Sequence, residues 1–209
     1  MKRIFITGIG TGIGKTLVSA IVARALEADY WKPVQAGYAE GTDTDTVQRL
    51  RHDGSFPIYP EVYKLKLPVS PHIAAREEDI QIDTGKIAAA MPVIKTPLVI
   101  EGAGGLLVPL NEKEFVSDLI RSLNARVILV SRNYLGSINH SLLTAAYCRQ
   151  KEIDVAGWIF TDEYGGYEQE IASWTGYPVI ACIPRLATVN RDILWHQSQL
   201  MRDNVLSIL

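Results

Sequence analysis

The chain has 209 residues, an apolar content of 47% and a formal net charge of −2 at pH 7. The apolar content excludes a disordered chain, because disordered chains have too few apolar side chains to form a core. The near-zero net charge differs from the excess of basic residues that is typical of nucleic-acid-binding proteins. A chain of this length can bury a substantial core as one domain. We therefore expect a single globular domain over residues 1–209 and no nucleic-acid partner.

No apolar stretch approaches the length of a membrane span, and the chain opens on a strand pattern instead of a charged segment before a secretory core. We therefore expect no membrane partner and a cytoplasmic protein. Cys148 and Cys182 lack the spacing of a metal site or a disulfide framework. Both are predicted to be reduced core residues.

The first element is a strand over residues 3–7, and a glycine-rich loop, GIGTGIGKT, follows it at residues 8–16. Such glycines let successive backbone amides point at one anion, and the helix predicted over 15–28 presents its positive end to the same anion. Lys15 then meets the outer phosphates, and the Thr16 hydroxyl can ligate Mg²⁺. We expect this loop to bind ATP or GTP.

The usual pattern of such a loop has a glycine five positions before its last glycine, whereas this chain has Ile9 five positions before Gly14 and Gly8 one position further back. The loop is thus one residue longer than the usual pattern. A dinucleotide-binding fold is disfavoured, because its fingerprint has no Lys-Thr at the helix start and needs an acidic residue near the end of the second strand. This chain has Lys32 at that place.

Apolar strand patterns then alternate with helical periodicity along the chain. Further strands are predicted over 30–34, 98–101, 127–131, 155–160 and 179–183. Helices are predicted over 44–52, 71–78, 83–91, 115–123, 137–151, 168–175 and near 192–206, and residues 54–71 are expected to be loop. The alternation predicts an α/β fold with three layers, a mainly parallel central sheet flanked by helices.

Ligands of open parallel sheets bind beyond the carboxyl ends of the strands. Lys32 stands at one such end, and Glu101 stands at another, where an acidic residue can help to hold Mg²⁺. Asp43 and Asp45 form an acidic pair in GTDTDT, and we expect one to cap the following helix and the other to face the metal. Residues 136–140, GSINH, begin a helix whose amides could receive a carboxylate, although Ser137 could also be an ordinary cap.

Seven segments, in order along the chain, together resemble dethiobiotin synthetases. They are GIGTGIGKT, KPVQAG, the segment around Asp45, SPHIAA, EGAGGLLVP, LGSINH and GWIFTD. The resemblance implies a P-loop NTPase-like fold and a homodimeric ligase of biotin biosynthesis. It implies that ATP and Mg²⁺ are used to join CO₂ to 7,8-diaminononanoate and to close a cyclic urea, giving dethiobiotin, ADP and phosphate.

The same resemblance implies roles for individual residues. The catalytic set would be Lys32, Lys15 and Thr11, and the Mg²⁺ ligands would be Thr16, Asp45 and Glu101. The substrate would contact Thr11, Lys32 and Ala36, and its carboxylate would meet the partner subunit through the helix start formed by Gly136, Ser137, Ile138 and Asn139. ATP would contact Gly12, Ile13, Gly14, Lys15, Thr16, Asp45, Glu101, Gly102, Ala103, Gly104, Thr161, Asp162, Pro184, Arg185 and Leu186.

The chain departs from the family pattern at three of these positions. The family often has Glu at the position of Gly12, a hydroxyl residue at that of Ala36 and Asn at that of Thr161. Ala36 cannot donate a side-chain hydrogen bond, and Thr161 lacks the amide that can both donate to and accept from an adenine edge.

Three alternatives remain. An ATPase switch of the partition or metal-delivery type has a related fold, but those proteins carry a second lysine early in the loop, where this chain has Gly10. A non-catalytic nucleotide-binding module would not need Lys32, Asp45 and Glu101 together. A related ligase acting on a different diamine or amide is the third.

Overall fold

The computed structural model describes residues 2–51 and 56–208, where helices cover both faces of a seven-stranded sheet. Its strands are β1 (Arg3–Gly8), β2 (Asp29–Trp31), β3 (Val34–Ala36), β4 (Ile58–Tyr59), β5 (Tyr63–Leu65), β6 (Leu98–Glu101), β7 (Arg126–Arg132), β8 (Val155–Thr161) and β9 (Val179–Ile183). Its helices are α1 (Lys15–Ala25), α2 (Asp43–Arg51), α3 (Pro71–Glu77), α4 (Thr84–Ala89), α5 (Val116–Ser122), α6 (Ser137–Gln150), α7 (Glu168–Thr175) and α8 (Arg191–Ser207).

The main sheet has the strand order β4-β2-β6-β1-β7-β8-β9, and every neighbouring pair in it is parallel. Alternate residues of a strand face opposite sides, so Phe5 joins one core cluster while Ile4 and Ile6 join the other. Helices α1, α2 and α8 cover the face of Ile4 and Ile6, and α3 to α7 cover the face of Phe5. This three-layer α/β arrangement confirms the predicted fold class.

The strand predicted over 30–34 is in fact two strands that belong to different sheets. β2 ends at Trp31 and pairs with β6, whereas β3 begins at Val34 and pairs with β5 in a separate two-stranded sheet. Pro33 stands between them and has no amide hydrogen to donate to a ladder, which favours a break there. The break leaves Lys32 just beyond the carboxyl end of β2.

The prediction of loop over 54–71 is wrong where β4 and β5 lie, while its residues 54 and 55 lie outside the described residues. Strands of two and three residues are too short to produce a readable period. The helix predicted over 44–52 is α2, and its last predicted residue is likewise outside the described part. The other predicted helices and strands occur, with ends that differ by at most three residues.

Both cysteines are free thiols, but only Cys148 is buried. The prediction that Cys182 is a core residue is wrong, because it lies on β9, the edge strand of the main sheet, and is exposed there. Among the helices that the structure describes, none combines the length and the apolar character that crossing a membrane requires.

Candidate active site

The glycine loop joins the carboxyl end of β1 to the start of α1, and its glycines adopt the backbone conformations that this tight path requires. Gly12 and Gly14 have φ angles of 71° and 87°, a region that side chains disfavour. Lys15 Nζ donates to the carbonyl oxygen of Gly10 at 2.6 Å, so the lysine lies along the loop. The ammonium group of Lys15 therefore lies beside the loop backbone, where a polyphosphate ligand would need it.

A buried cluster of charged groups lies beside this loop, on the face of the sheet that α1 and α2 cover. Lys32 Nζ is 2.6 Å from Asp43 Oδ2 and 2.9 Å from Glu101 Oε1. Lys32 is 4% exposed and Glu101 is 1% exposed, so water screens the contact between them little. The register of β2 and β6, which pairs Trp31 with Ile100, brings Lys32 and Glu101 side by side.

Thr16, the second residue of α1, connects the loop to this cluster. Its Oγ1 lies 2.8 Å from Asp43 Oδ1 and 2.9 Å from Glu101 Oε1. One hydroxyl and two carboxylates thus present hard oxygen atoms at the mouth of the phosphate loop, which is the donor chemistry that Mg²⁺ prefers. The residues present fit a divalent cation bound next to a nucleotide.

The pKa shifts of these groups follow from burial and from their mutual charges. Burial and then the charge of Lys32 lower the pKa of Lys15 to about 8. Burial also disfavours the charged form of Lys32, but Glu101 and Asp43 outweigh it, and the pKa of Lys32 is raised. Burial of Asp43 is likewise outweighed by Lys32, so the pKa of Asp43 is lowered. Lys32 and Asp43 are therefore charged at neutral pH.

Asp43, and not Asp45, is the carboxylate that contacts Thr16, which corrects the expectation that the Asp45 carboxylate lies beside Thr16 and Glu101. Asp45 Oδ2 accepts a hydrogen bond from the Thr42 amide at 2.8 Å, and the Asp45 amide donates to Thr42 Oγ1 at 3.0 Å. This reciprocal pair is a capping box, which uses the Asp45 carboxylate to start α2. Two residues of helix separate Asp43 from Asp45 by about 200° around the axis, so only one of them can face the site.

Tyr30 is a site residue that sequence analysis missed. Its hydroxyl donates to Glu101 Oε2 at 2.8 Å, and both side chains are buried. This bond occupies the Glu101 oxygen that points away from Lys32 and Thr16. Tyr30 and Lys32 are two residues apart and share one face of the sheet, a spacing that could have suggested the contact.

A cavity of about 570 Å³ opens over the phosphate loop and the charged cluster. Ten of the predicted site residues line it: Thr11, Gly12, Gly14, Lys15, Thr16, Lys32, Ala36, Glu101, Ala103 and Gly104. The rest of the lining consists of Asp43 and of seven residues for which the sequence predicted no role: Val34, Gln35, Pro68, Val69, Ser70, Pro71 and Val108.

The residues predicted to surround adenine lie around the ends of β8 and β9, outside that lining. Thr161 is 5% exposed, and its hydroxyl donates to the Ile13 carbonyl oxygen at 3.0 Å. This hydrogen bond stabilises the phosphate loop. The Asp162 carboxylate accepts from Arg132 Nε at 2.6 Å. Pro184, Arg185 and Leu186 follow β9, the strand beside β8.

The start of α6 is also separate from the 570 Å³ cavity. Gly136 has a φ angle of 102°, and the buried Ser137 hydroxyl lies 2.7 Å from Tyr167 Oη, so the Ser137 side chain has a structural contact. A neighbouring cavity of about 310 Å³ lies between α6 and the phosphate loop. Leu107 and Leu143 line it and are 55% and 62% exposed.

A phosphate loop after the first strand of a parallel sheet, with a lysine and oxygen ligands at adjacent strand ends, defines a P-loop nucleotide-binding protein. A family profile described as an AAA domain matches residues 2–192. ATP-dependent dethiobiotin synthetases match nearly the whole chain. The protein from Cytophaga hutchinsonii is 47% identical, covering 98% of each chain, and that from Agrobacterium fabrum is 41% identical, covering 99% of this chain and 97% of its own.

The chain belongs to the ATP-dependent dethiobiotin synthetase family, which confirms the resemblance inferred from the motifs. Solved structures of lower identity share its fold alone. The septum site-determining protein MinD with Mg-ADP from Pyrococcus horikoshii has a TM-score of 0.60 at 13% identity, covering 99% of this chain and 95% of its own. A ParA family ATPase from Chlorobium tepidum has a TM-score of 0.57 at 15% identity, covering 100% and 92%.

The two aspartates of α2 offer a matched test of the metal ligand. Asp43→Asn should raise the Mg²⁺ concentration needed for tight ATP binding by about tenfold or more, because it removes a charged oxygen ligand. Asp45→Asn should leave that titration unchanged, since it alters only the capping box. Nucleotide titrations at a series of Mg²⁺ concentrations measure both, and the reverse pattern would restore Asp45 as the ligand.

The lowered pKa of Lys15 predicts proton uptake when ATP binds at alkaline pH. The phosphates favour the charged lysine, so a group that is largely neutral above pH 8 in the free protein must gain a proton on binding. Calorimetry in buffers of different ionisation enthalpy should give an uptake approaching about one proton at about pH 9 and much less at about pH 7. Lys15→Gln should abolish the uptake and the exposed control Lys95→Gln should retain it; equal uptake in both variants would contradict the prediction.

Proposed function

We propose that this chain is a ligase that uses ATP to carboxylate 7,8-diaminononanoate with CO₂ and to close the cyclic urea of dethiobiotin, releasing ADP and phosphate. The observation that carries the proposal is a second buried lysine, Lys32, in the same cavity as the phosphate-loop lysine, Lys15. The names of the family members, ATP-dependent dethiobiotin synthetases, support it. The reaction belongs to the biosynthesis of biotin.

The chemistry brings two anions together. One substrate amine adds to CO₂ and loses a proton, giving a carbamate whose oxygen attacks the γ-phosphorus of ATP and displaces ADP. The second amine then attacks the carbonyl carbon of the mixed anhydride, closes the ring and displaces phosphate. Two unit charges about 4 Å apart repel by roughly 4 kcal/mol at an effective dielectric near 20, so the site must offset this repulsion.

Lys15 and Lys32 offset the repulsion between the carbamate and the nucleotide from two sides. Lys15 lies along the phosphate loop and meets the outer phosphates, while Lys32, held by Glu101 and Asp43, meets the carbamate and the transferred phosphoryl group. Both act by charge and position, which is how phosphoryl transfer is usually assisted. Thr11 lines the same cavity. In this proposal its hydroxyl donates a hydrogen bond to the reacting anions. No protein nucleophile takes part.

Other groups keep this arrangement in place. Gln35 is buried, its Nε2 donates to the Gly37 carbonyl oxygen at 2.8 Å, and its Oε1 accepts from the Asp43 amide at 3.2 Å. These bonds position the start of α2, and with it the Asp43 carboxylate. The wall formed by Ala36, Val34 and the segment at residues 68–71 gives the substrate carbons an apolar surface.

Mg²⁺ is the metal that we propose for this site, held by Thr16, Asp43 and Glu101. When bound, it supplies charge that neutralises the phosphate oxygens. The adenine lies against residues 161–162 and 184–186, at the ends of the two strands beyond the phosphate loop. The proposal is supported there by the contact of Thr161 with the loop and by the neighbouring ion pair of Arg132 and Asp162.

We expect Lys32→Gln to suppress ADP release that depends on both diamine and bicarbonate by about a hundredfold or more, because the carbamate loses its cation. Lys15→Gln should suppress it as well, with weaker ATP binding. Mass spectrometry of the wild-type mixture of ATP, Mg²⁺, bicarbonate and diaminononanoate should detect the cyclic urea. Lys95→Gln, the same change at an exposed lysine outside the cluster, is the control and should retain full turnover.

Undiminished turnover in Lys32→Gln would remove this lysine from the mechanism. ATP hydrolysis without any cyclic urea would instead favour a nucleotide switch over a ligase.

The proposed assembly is a homodimer in the cytoplasm, the compartment that supplies ATP and keeps thiols reduced. Its interface contains the second cavity and the start of α6, so that residues 136–139 receive the substrate carboxylate bound to the partner. Three large apolar side chains near that helix support this: Leu107, Leu135 and Leu143 are 55%, 84% and 62% exposed. Apolar groups clustered on a surface in this way are typical of protein interfaces.

Leu143→Glu should shift the protein from dimer to monomer, because it puts a charge into the apolar contact. Light scattering after size exclusion measures the change, and turnover should fall with the dimer fraction. The control Leu200→Glu changes a leucine of α8 that is 66% exposed on the other face of the sheet. A wild-type monomer with full activity would refute the shared site.

A further inference from the structure

Arg132, the last residue of β7, lies between the phosphate loop and the strand end proposed to hold adenine. Ile128 and Val130 of β7 belong to the core cluster that α1 covers, so Arg132, two residues after Val130, points to the same face as the phosphate loop. The strand register pairs Arg132 with Thr161 of β8. The Arg132 side chain is therefore positioned beside both parts of the proposed nucleotide site.

Two contacts hold the Arg132 guanidinium group in this place. Its Nε donates to Asp162 Oδ2 at 2.6 Å, and its Nη1 lies 3.5 Å from the carbonyl oxygen of Gly12, at the outer limit of a hydrogen bond. Gly12 has no side chain, and the space where a Cβ would lie has no atom of another described part of the chain within 4 Å. Both the guanidinium group and this open space therefore adjoin the phosphate loop at Gly12.

Asp162, which orients Arg132, is itself fixed from two sides. The Asp162 amide donates to the carbonyl oxygen of Ile183 in β9 at 3.0 Å, and Asn133 Nδ2 donates to the Asp162 carbonyl oxygen at 3.4 Å. These hydrogen bonds hold Asp162 at a φ angle of 62°, a left-handed conformation that aspartate tolerates better than most residues. Because the ion pair already orders Arg132, less side-chain freedom is lost when a ligand binds it.

The chemistry of this ion pair suits a nucleoside better than a polyphosphate. The Asp162 carboxylate balances the charge of Arg132, so the pair as a whole attracts an anion only weakly. A guanidinium group that is bound along its edge keeps its planar faces free, and such faces stack on aromatic rings. The Arg132 side chain is 46% exposed, so a ligand can reach it.

We propose that Arg132 binds the nucleoside part of ATP, with its guanidinium plane against the base and ribose, and that Asp162 orients it for this contact. This role rests on the proposed function, in which the phosphates lie at the glycine loop and adenine lies at residues 161–162 and 184–186. A side chain between these two places meets the part of ATP that joins them. Arg132 then makes the site prefer a nucleotide to a bare polyphosphate.

Titrations with ATP and with inorganic tripolyphosphate, both in the presence of Mg²⁺, test this role, because both ligands have three linked phosphates and only ATP has a nucleoside. Arg132→Met should weaken ATP binding by about tenfold, through the loss of a cation–π contact, and should change the affinity for tripolyphosphate by less than about twofold. Arg126→Met is the matched control. Arg126 lies at the other end of β7, its side chain is 44% exposed, and it pairs with Asp154 at 3.3 Å. Its replacement should leave both affinities unchanged.

Arg132→Lys keeps the charge but loses the planar group, so it should also weaken ATP binding, by about threefold or more, and it replaces Arg132→Met if that variant fails to fold. The role of Arg132 is overturned by wild-type ATP affinity in either variant, by equal losses for ATP and tripolyphosphate, or by an equal loss in Arg126→Met. The expected binding pattern without any cyclic urea would support this role while refuting the ligase. A wild-type chain that does not bind ATP would refute both.

Discussion

The ion cluster of Lys32, Glu101 and Asp43 is the interaction on which the rest of the site depends. Burying a charged group costs several kcal/mol, and removing one member of a buried pair typically costs about 3–5 kcal/mol. An apolar cluster of equal volume would stabilise the fold as well or better. The two carboxylates hold Lys32 in place. In the function proposed above, Lys32 supplies a cation next to a polyphosphate, and the carboxylates present oxygen ligands to a metal ion.

The parallel sheet makes this cluster possible. Neighbouring β2, β6 and β1 end at the same edge, so residues far apart in the chain meet there without long loops. Tyr30 reaches Glu101 from within the same face, and Thr16 reaches it from the first turn of α1. The site is built almost entirely on strand ends and helix starts, which are held by two core clusters and can keep the distances that phosphoryl transfer requires.

The sequence by itself determined the local chemistry: the phosphate loop, the alternation of strands and helices, and the presence of Lys32 and Glu101 at strand ends. These follow from near neighbours in the chain, whose spacing and backbone preferences are readable directly. The tertiary structure decided which of two aspartates two residues apart faces Thr16, that Tyr30 holds Glu101, and that Cys182 is exposed. Those outcomes depend on helix phase, on strand register and on which strand forms the edge of the sheet. Such properties arise only when distant segments pack, because no residue within reach along the chain specifies them.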